Sequence, residues 1–129
     1  MPKLFLVFNH TFTLSQQENA RDELGVENIL EPSLELSRRW ANIPPEAPSL
    51  RPWLQPICDW LAAQAQAGDY ALIQGDFGAC YLLVRFALER NLIPVYATTE
   101  RHAREEWLAD GRVKLEHTFE HVRFRRYGE

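Results

Sequence analysis

The sequence is short of the residues that build metal and redox centres. It has two cysteines, Cys58 and Cys80, far apart in apolar runs, and no CxxC pair, no ligand-spaced Cys/His cluster and no HExxH motif. Both therefore read as buried free thiols of a reducing compartment. Of the four histidines, His117 and His121 stand at i, i+4, a spacing that would align them on a helix. The alternation around them reads as strand, so no metal site and no cofactor is expected. Long apolar runs are missing too. The first, "LFLVF", has five residues, too few for a signal-peptide core or a membrane span. A cytoplasmic protein without a membrane partner is expected. Positive charge is also scarce: Lys and Arg number 14 against 18 Asp and Glu, a net charge of -4. That balance excludes a protein that coats long nucleic acid through bulk electrostatics. The tail "HVRFRRYGE" nevertheless holds Arg123, Arg125 and Arg126 within four positions, which leaves room for a local anion site.

What is present is the pattern of one α/β domain. A length of 129 residues with 46% hydrophobic and 25% charged residues suits a single core. "KLFLVF" is a short continuous apolar run, as a strand buried on both faces requires. Ser15 and Glu18 have the spacing of a capping box, which predicts a helix over about 15–24 stopped by Gly25. "ENILEP" predicts a strand closed by Pro32, and "SLELSRRWANI" a short helix ended by Pro44 and Pro45. The proline-rich "IPPEAPSLRP" is loop. Leu54, Ile57, Cys58, Leu61 and Ala65 follow the 3.6-residue period of a helix from Trp53 to about Ala67, in which Pro56 fits only within the first turn. Trp40, Trp53 and Trp60 read as core or subunit-contact aromatics. "DYALIQ", "GACYLLVRFALERN" and "IPVYAT" predict strand, helix and strand. Asp110-Gly111 then marks the turn of a hairpin whose strands contain Trp107, Val113, Leu115 and Phe119. The order implies three layers around a mostly parallel sheet, closed by a C-terminal β-hairpin.

Ligands of open parallel sheets bind beyond the carboxyl ends of the strands, where the strand order switches. That rule selects "NHTFT", "QGDFGA" and "TTER" as three stretches of one edge. Gly75 and Gly78 would allow positive φ and close backbone approach. The helix starting near Gly78 would point free amides, around Gly75 to Ala79, at a negative group. Asn9, Thr11, Gln74, Thr98 and Thr99 supply uncharged hydrogen-bonding groups, while His10 and Arg101 supply cationic or acid–base capacity. Asp76 either takes part or only caps the helix. Phe77 stands inside the same stretch. The pattern is neither a Walker A loop nor GxGxxG, and "DFG" without the other kinase motifs does not make a kinase.

Taken together, "LFLVFNHTFT", "ELGVENILEP" with "WANIPPE", "ALIQGDFGACYLLVRFAL", "IPVYATTER" and "DGRVKLEHTFEHVRFRRY" cover nearly the whole chain. In these stretches it resembles the small stand-alone CRISPR-associated proteins of type III systems, built as a minimal CARF domain, the Rossmann-like sensor fold for cyclic oligoadenylates. The resemblance implies a homodimer that binds a cyclic oligoadenylate across its two-fold axis. It also implies ring nuclease activity, on cyclic tetra-adenylate first of all, that switches off the antiviral signal. Relatives of this kind also include binders that hold the ring without cutting it, because fold alone does not confer cleavage.

The chemistry that this resemblance implies needs no metal. Each phosphodiester of an RNA ring has an adjacent 2′-hydroxyl that can attack in line. The protein has to align that attack, stabilise charge and assist proton transfer. In this expectation His10 and Arg101 are the catalytic pair. Asn9, Thr11, Gln74, Gly75, Asp76, Phe77, Gly78, Ala79, Thr98 and Thr99 hold the ligand.

Overall fold

In the computed structural model, which describes residues 1–129 throughout, the apolar run near the N-terminus forms β1 (Lys3–Val7). Its side chains alternate between two cores. Phe5 and Val7 pack on one face, and Leu4 and Leu6 on the other, all four at most 3% exposed. Burial on both faces is what its unbroken hydrophobicity requires. Helix α1 (Leu14–Leu24) follows, then β2 (Asn28–Leu30), α2 (Leu34–Ala41) and α3 (Arg51–Gln64). The chain continues through β3 (Tyr70–Ile73), α4 (Phe77–Glu89), β4 (Ile93–Trp107) and β5 (Val113–Arg126).

The strands form one sheet in the order β2-β1-β3-β4-β5. The β1–β2, β1–β3 and β3–β4 pairs are parallel, and β5 is an antiparallel edge. Ala20 of α1 packs with Leu4, Leu6, Leu72 and Val95 on one face. Trp40 of α2, Leu54 and Ile57 of α3, and Leu83 of α4 cover the other. Right-handed crossovers account for that split: the connection from β1 to β2 runs one way along the sheet, and the later ones run the other way, so their helices take opposite faces. The expected three layers around a mostly parallel sheet are therefore observed.

Three local expectations shift. The capping box of α1 sits earlier than Ser15 and Glu18 suggested. Thr13 is the N-cap, with Gln16 N donating to Thr13 Oγ1 at 3.2 Å and Thr13 N to Gln16 Oε1 at 2.9 Å. Gly25 ends the helix in the left-handed region, at φ 68°, as the sequence implied. Helix α3 starts at Arg51, so Pro56 lies beyond its first turn. The carbonyl that Pro56 leaves without a partner belongs to the exposed Pro52 at the helix start, so it is not buried unpaired.

The third shift concerns the hairpin. Its first strand is not separate from "IPVYAT" but continues it, so β4 is a single strand of 15 residues. Only Ile93 to Val95 pair with β3. From Thr99 onward, β4 and β5 run out of the sheet as a two-stranded ribbon, paired from Thr99↔His121 to Trp107↔Val113. The turn is the expected one, with Gly111 at φ 87° and Gly111 N bonded to Leu108 O at 3.0 Å. The register slips between Thr98 and Thr99, which leaves Val122 as an extra residue on β5, the bulge from which the ribbon bends away.

His121 anchors this bend to α1. Its Nε2 lies 2.8 Å from Asn19 Oδ1, its ring packs 4.8 Å from that of Phe124, and its Nδ1 is buried without a partner. Burial pushes its pKa below the ordinary histidine value, with Glu23 opposing the shift. A base depressed in the folded state contributes stability above its unfolded pKa, and that stability is lost as pH falls below about 6.5. The unfolding midpoint is thus expected to fall as pH drops through this window, and to fall less in His121→Gln. Parallel pH profiles for the two proteins would remove His121 from the acid response.

Candidate functional site

Strand order reverses at β1, which has β2 on one side and β3 on the other. The crevice of such a sheet opens at the carboxyl ends of the central strands, here after Val7 and Ile73. The register Val7↔Ile73 and the bond from Gln74 N to Val7 O, 3.1 Å, place the loop of Asn9, His10 and Thr11 and the start of α4 on one edge. Two of the three predicted stretches thus meet. The third does not. Thr98, Thr99 and Arg101 lie inside β4, not in a loop after it. Thr98 Oγ1 is bonded to the backbone of Arg123. Arg101 stands four residues past Ala97, about 13 Å along the strand, where its guanidinium meets His117 Nδ1 at 3.0 Å.

The stretch "QGDFGA" is built around Trp40. The indole Nε1 donates to Gln74 O at 2.8 Å, and a Cβ on Gly75 would come within 2.9 Å of that same nitrogen. Gly75 is glycine because a buried indole passes over it. Neither Gly75 nor Gly78 has a positive φ, which corrects the expectation of a left-handed turn there. The side chain of Gln74 is also engaged: Oε1 accepts from Ala97 N at 2.7 Å and ties β3 to β4. Asp76 is the N-cap of α4, accepting from Ala79 N at 3.0 Å. Of the amides expected to greet an anion, that of Ala79 is thus taken by the chain's own carboxylate. The first turn of a helix leaves its leading amides, here those of Phe77 and Gly78, without intrahelical partners.

Two clefts flank this edge. One, of about 460 Å³, is lined by Asn9, His10 and Thr11 together with Glu31, Ser37 and Arg38. His10 is exposed there, with its ring edge-on to Phe8 at 5.5 Å. The other, of about 530 Å³, is lined by Gln74, Gly75 and Cys80 and by four aromatic rings, those of Phe77, Tyr81, Tyr96 and Tyr127. Phe77 is 95% exposed. Two of these rings have arginines beside them: Arg85 lies 5.8 Å from the Tyr81 ring, and Arg125 lies 5.6 Å from that of Tyr96, with Nη1 3.0 Å from its hydroxyl.

Two groups of the aromatic cleft, Cys80 and Tyr127, are held in their neutral forms. Burial pushes the Cys80 thiol up, and burial followed by the nearby Cys80 pushes the Tyr127 hydroxyl up to about 12. The Tyr127 hydroxyl donates to Ile73 O and pins the C-terminus over β3. This cleft therefore offers aromatic faces and a helix terminus, with its thiol held protonated. No group of three or more His, Cys, Asp or Glu side chains is arranged so that it could hold a metal ion.

Arg38, Arg85, Tyr81, Tyr96 and Tyr127 were not singled out by sequence reasoning. Tyr81 and Arg85, four apart on one helix, carried a local signal. Arg38 and Tyr127 carried none, because only the crossover and the final turn of the chain bring them to the edge.

Comparison with known proteins matches residues 2–125 to the family described as the uncharacterized protein MJ1673 family. The chain is similar to the protein named uncharacterized protein MJ1673 of Methanocaldococcus jannaschii, 44% identical over 127 residues that cover 98% of each chain. No solved structure matches it.

Two substitutions test the architecture of this edge. Gly75→Ala forces the Trp40 indole to move and is expected to destabilise the fold by about 1–3 kcal/mol, with a shift in tryptophan emission. Unchanged stability would mean that the indole is free to yield. Tyr127→Phe removes one partly buried hydrogen bond and is expected to cost about 1 kcal/mol at neutral pH. Since the folded-state pKa of Tyr127 is raised, its contribution is full below about pH 10 and is lost as pH rises towards about 12. Denaturation curves for the two proteins should converge across that range, and a constant gap would contradict the assignment.

Proposed function

We propose a function for a chain that belongs to the uncharacterized protein MJ1673 family: it binds a cyclic oligoadenylate, cyclic tetra-adenylate first of all, as a homodimer and opens the ring without a metal. The observation that carries the reading is the aromatic cleft beside the N-terminus of α4. Exposed aromatic faces stack nucleobases at about 1–3 kcal/mol each, and guanidinium groups beside two of the rings suit the phosphates between them. The resemblance to CARF proteins, carried by the stretches quoted above, supplies the cyclic form of the ligand and the Rossmann-like, CARF-like reading of the fold. A two-fold protein suits a ligand with its own rotational symmetry.

Cleavage in this reading is an in-line transfer. The 2′-oxygen of one ribose attacks the adjacent phosphorus, the P–O2′ bond forms as the P–O5′ bond breaks, and the 5′-oxygen takes up a proton. A 2′,3′-cyclic phosphate and a 5′-hydroxyl result. His10, in the cleft with Arg38, exchanges the proton. Arg38 and the leading amides of α4 neutralise the charge that builds on phosphorus, and Asn9 and Thr11 orient the ribose. Arg101, held on the ribbon by His117, yields the charge-stabilising role to Arg38. Asp76 keeps the amides of α4 aligned rather than touching the ligand.

One observation favours a second reading, in which the protein sequesters the ring intact. His10 stands at the edge without a hydrogen-bonded acid or base, and Cys80 and Tyr127 of the neighbouring cleft stay protonated. One assay decides between the two. With cyclic tetra-adenylate in excess and EDTA present, many turnovers yielding a 2′,3′-cyclic phosphate are expected, and His10→Ala should slow them by about a hundredfold or more. Stoichiometric capture with recovery of intact ring would establish sequestration, and no binding at all would overturn both readings. Phe77→Ala is expected to weaken binding by about fivefold or more, and wild-type affinity in this variant would remove the stacking platform.

A further inference from the structure

The ribbon of β4 and β5 has two unlike faces. Strand register puts Arg101, Ala103, Glu105 and Trp107 on one face, opposite Phe119, His117, Leu115 and Val113. The other face carries Glu100, His102, Arg104 and Glu106 opposite Glu120, Thr118, Glu116 and Lys114, without an apolar side chain. It is tied by contacts such as His102 Nε2 to Glu120 Oε2 at 3.2 Å and Lys114 Nζ to Glu116 Oε1 at 3.0 Å. The first face has nothing over it. Trp107 is 74% exposed, Phe119 68% and Leu115 55%. A two-stranded ribbon is marginal in water unless an apolar face is covered, and a contiguous exposed apolar patch marks a contact surface.

We infer that this face is covered by the same face of a second copy of the chain, with the two ribbons antiparallel about a two-fold axis through the Ala103–His117 row. The inference deepens the homodimer of the proposed reading, but it rests on the pattern of the face itself. Arg101 and Glu105 stand two residues either side of Ala103, and Phe119 and Leu115 two either side of His117. Rotation about that row sets Arg101 against the partner's Glu105, and Phe119 against the partner's Leu115, each contact occurring twice, as an isologous interface requires. Ala103, the smallest side chain of the face, lies on the axis and lets the ribbons approach. Stacked sheets sit about 10 Å apart, within reach of an arginine and a glutamate.

The alternative, parallel ribbons related by an axis along the strands, lays Arg101 over the partner's Phe119 and Glu105 over the partner's Leu115. Both charges would then be covered without an opposite charge, Arg101 keeping only its hydrogen bond to His117, which is the costly arrangement. Charge complementarity thus selects both the occupant and its direction.

The test is oligomeric state, read by sedimentation without ligand at micromolar concentrations. The wild type is expected to be a dimer. Arg101→Glu and Glu105→Arg, made singly, should each weaken self-association at least tenfold. The double variant, Arg101→Glu with Glu105→Arg, should restore it. The two positions are about 13 Å apart along one strand, so restoration cannot come from a pair within the chain. Phe119→Glu should be monomeric, with an unchanged circular dichroism spectrum. A monomeric wild type, a double variant no more dimeric than the singles, or a dimeric Phe119→Glu would each overturn the inference. Binding of cyclic tetra-adenylate, measured separately by calorimetry on the same variants, distinguishes the two claims. A monomer that binds the ring overturns the interface alone, and a dimer that ignores the ring overturns the ligand alone.

Discussion

One indole organises the carboxyl edge of the sheet. Trp40 comes from α2, reaches under the start of α4 and donates its N–H to the carbonyl of Gln74 at the end of β3. Its donor is satisfied while 3% of the residue is exposed, so the polar atom is buried without penalty. The same contact requires that residue 75 have no Cβ. From the other side of the backbone, the Gln74 side chain holds the amide of Ala97. A helix from the crossover, the central strand, its neighbour β4 and the start of α4 are thereby set by contacts to two adjacent residues. Both clefts of the edge take their walls from this arrangement.

This constraint reassigns residues that look like ligand groups. Gln74, Asp76 and Gly75 have the types expected of a nucleotide site, and each is occupied by the fold: one by Ala97 and Trp40, one by Ala79, one by the space the indole needs. The groups left free are the side chains of His10, Arg38 and Phe77 and the leading amides of α4. Anion binding at a helix terminus depends on such unoccupied donors. The capping carboxylate adds a negative charge nearby, so guanidinium groups have to outweigh it. Arg38 lines one cleft, and Arg125 lies beside the Tyr96 ring of the other.

How much of this was legible in the sequence varies with the range of the interaction concerned. The strands β1 and β3 could be read because burial on both faces demands unbroken apolar runs. Gly25 and the Asp110-Gly111 turn could be read because positive φ restricts residue choice locally. The cap of α1 was read at Ser15 with Glu18, whereas the fold caps it at Thr13 with Gln16, whose side chain is buried. The length of β4 was hidden for a different reason. From Thr98 to Glu106 every residue but Ala103 is polar, a run that fits a loop before a new strand as well as the same strand continued into solvent. Whether a break falls at Thr98 depends on where β5 pairs.

The amino-acid sequence by itself determined the α/β order, the mostly parallel sheet and the carboxyl edge at which sheets of this kind bind ligands. Each of these follows from periodicities and turn residues that act over a few positions. Only the tertiary structure decided which side chains at that edge are free. Trp40 and Gln74 are 34 residues apart, and Tyr127 reaches Ile73 across 54. No local pattern encodes such partners, because a hydrogen-bonding group looks the same in sequence whether the fold has used it or left it open.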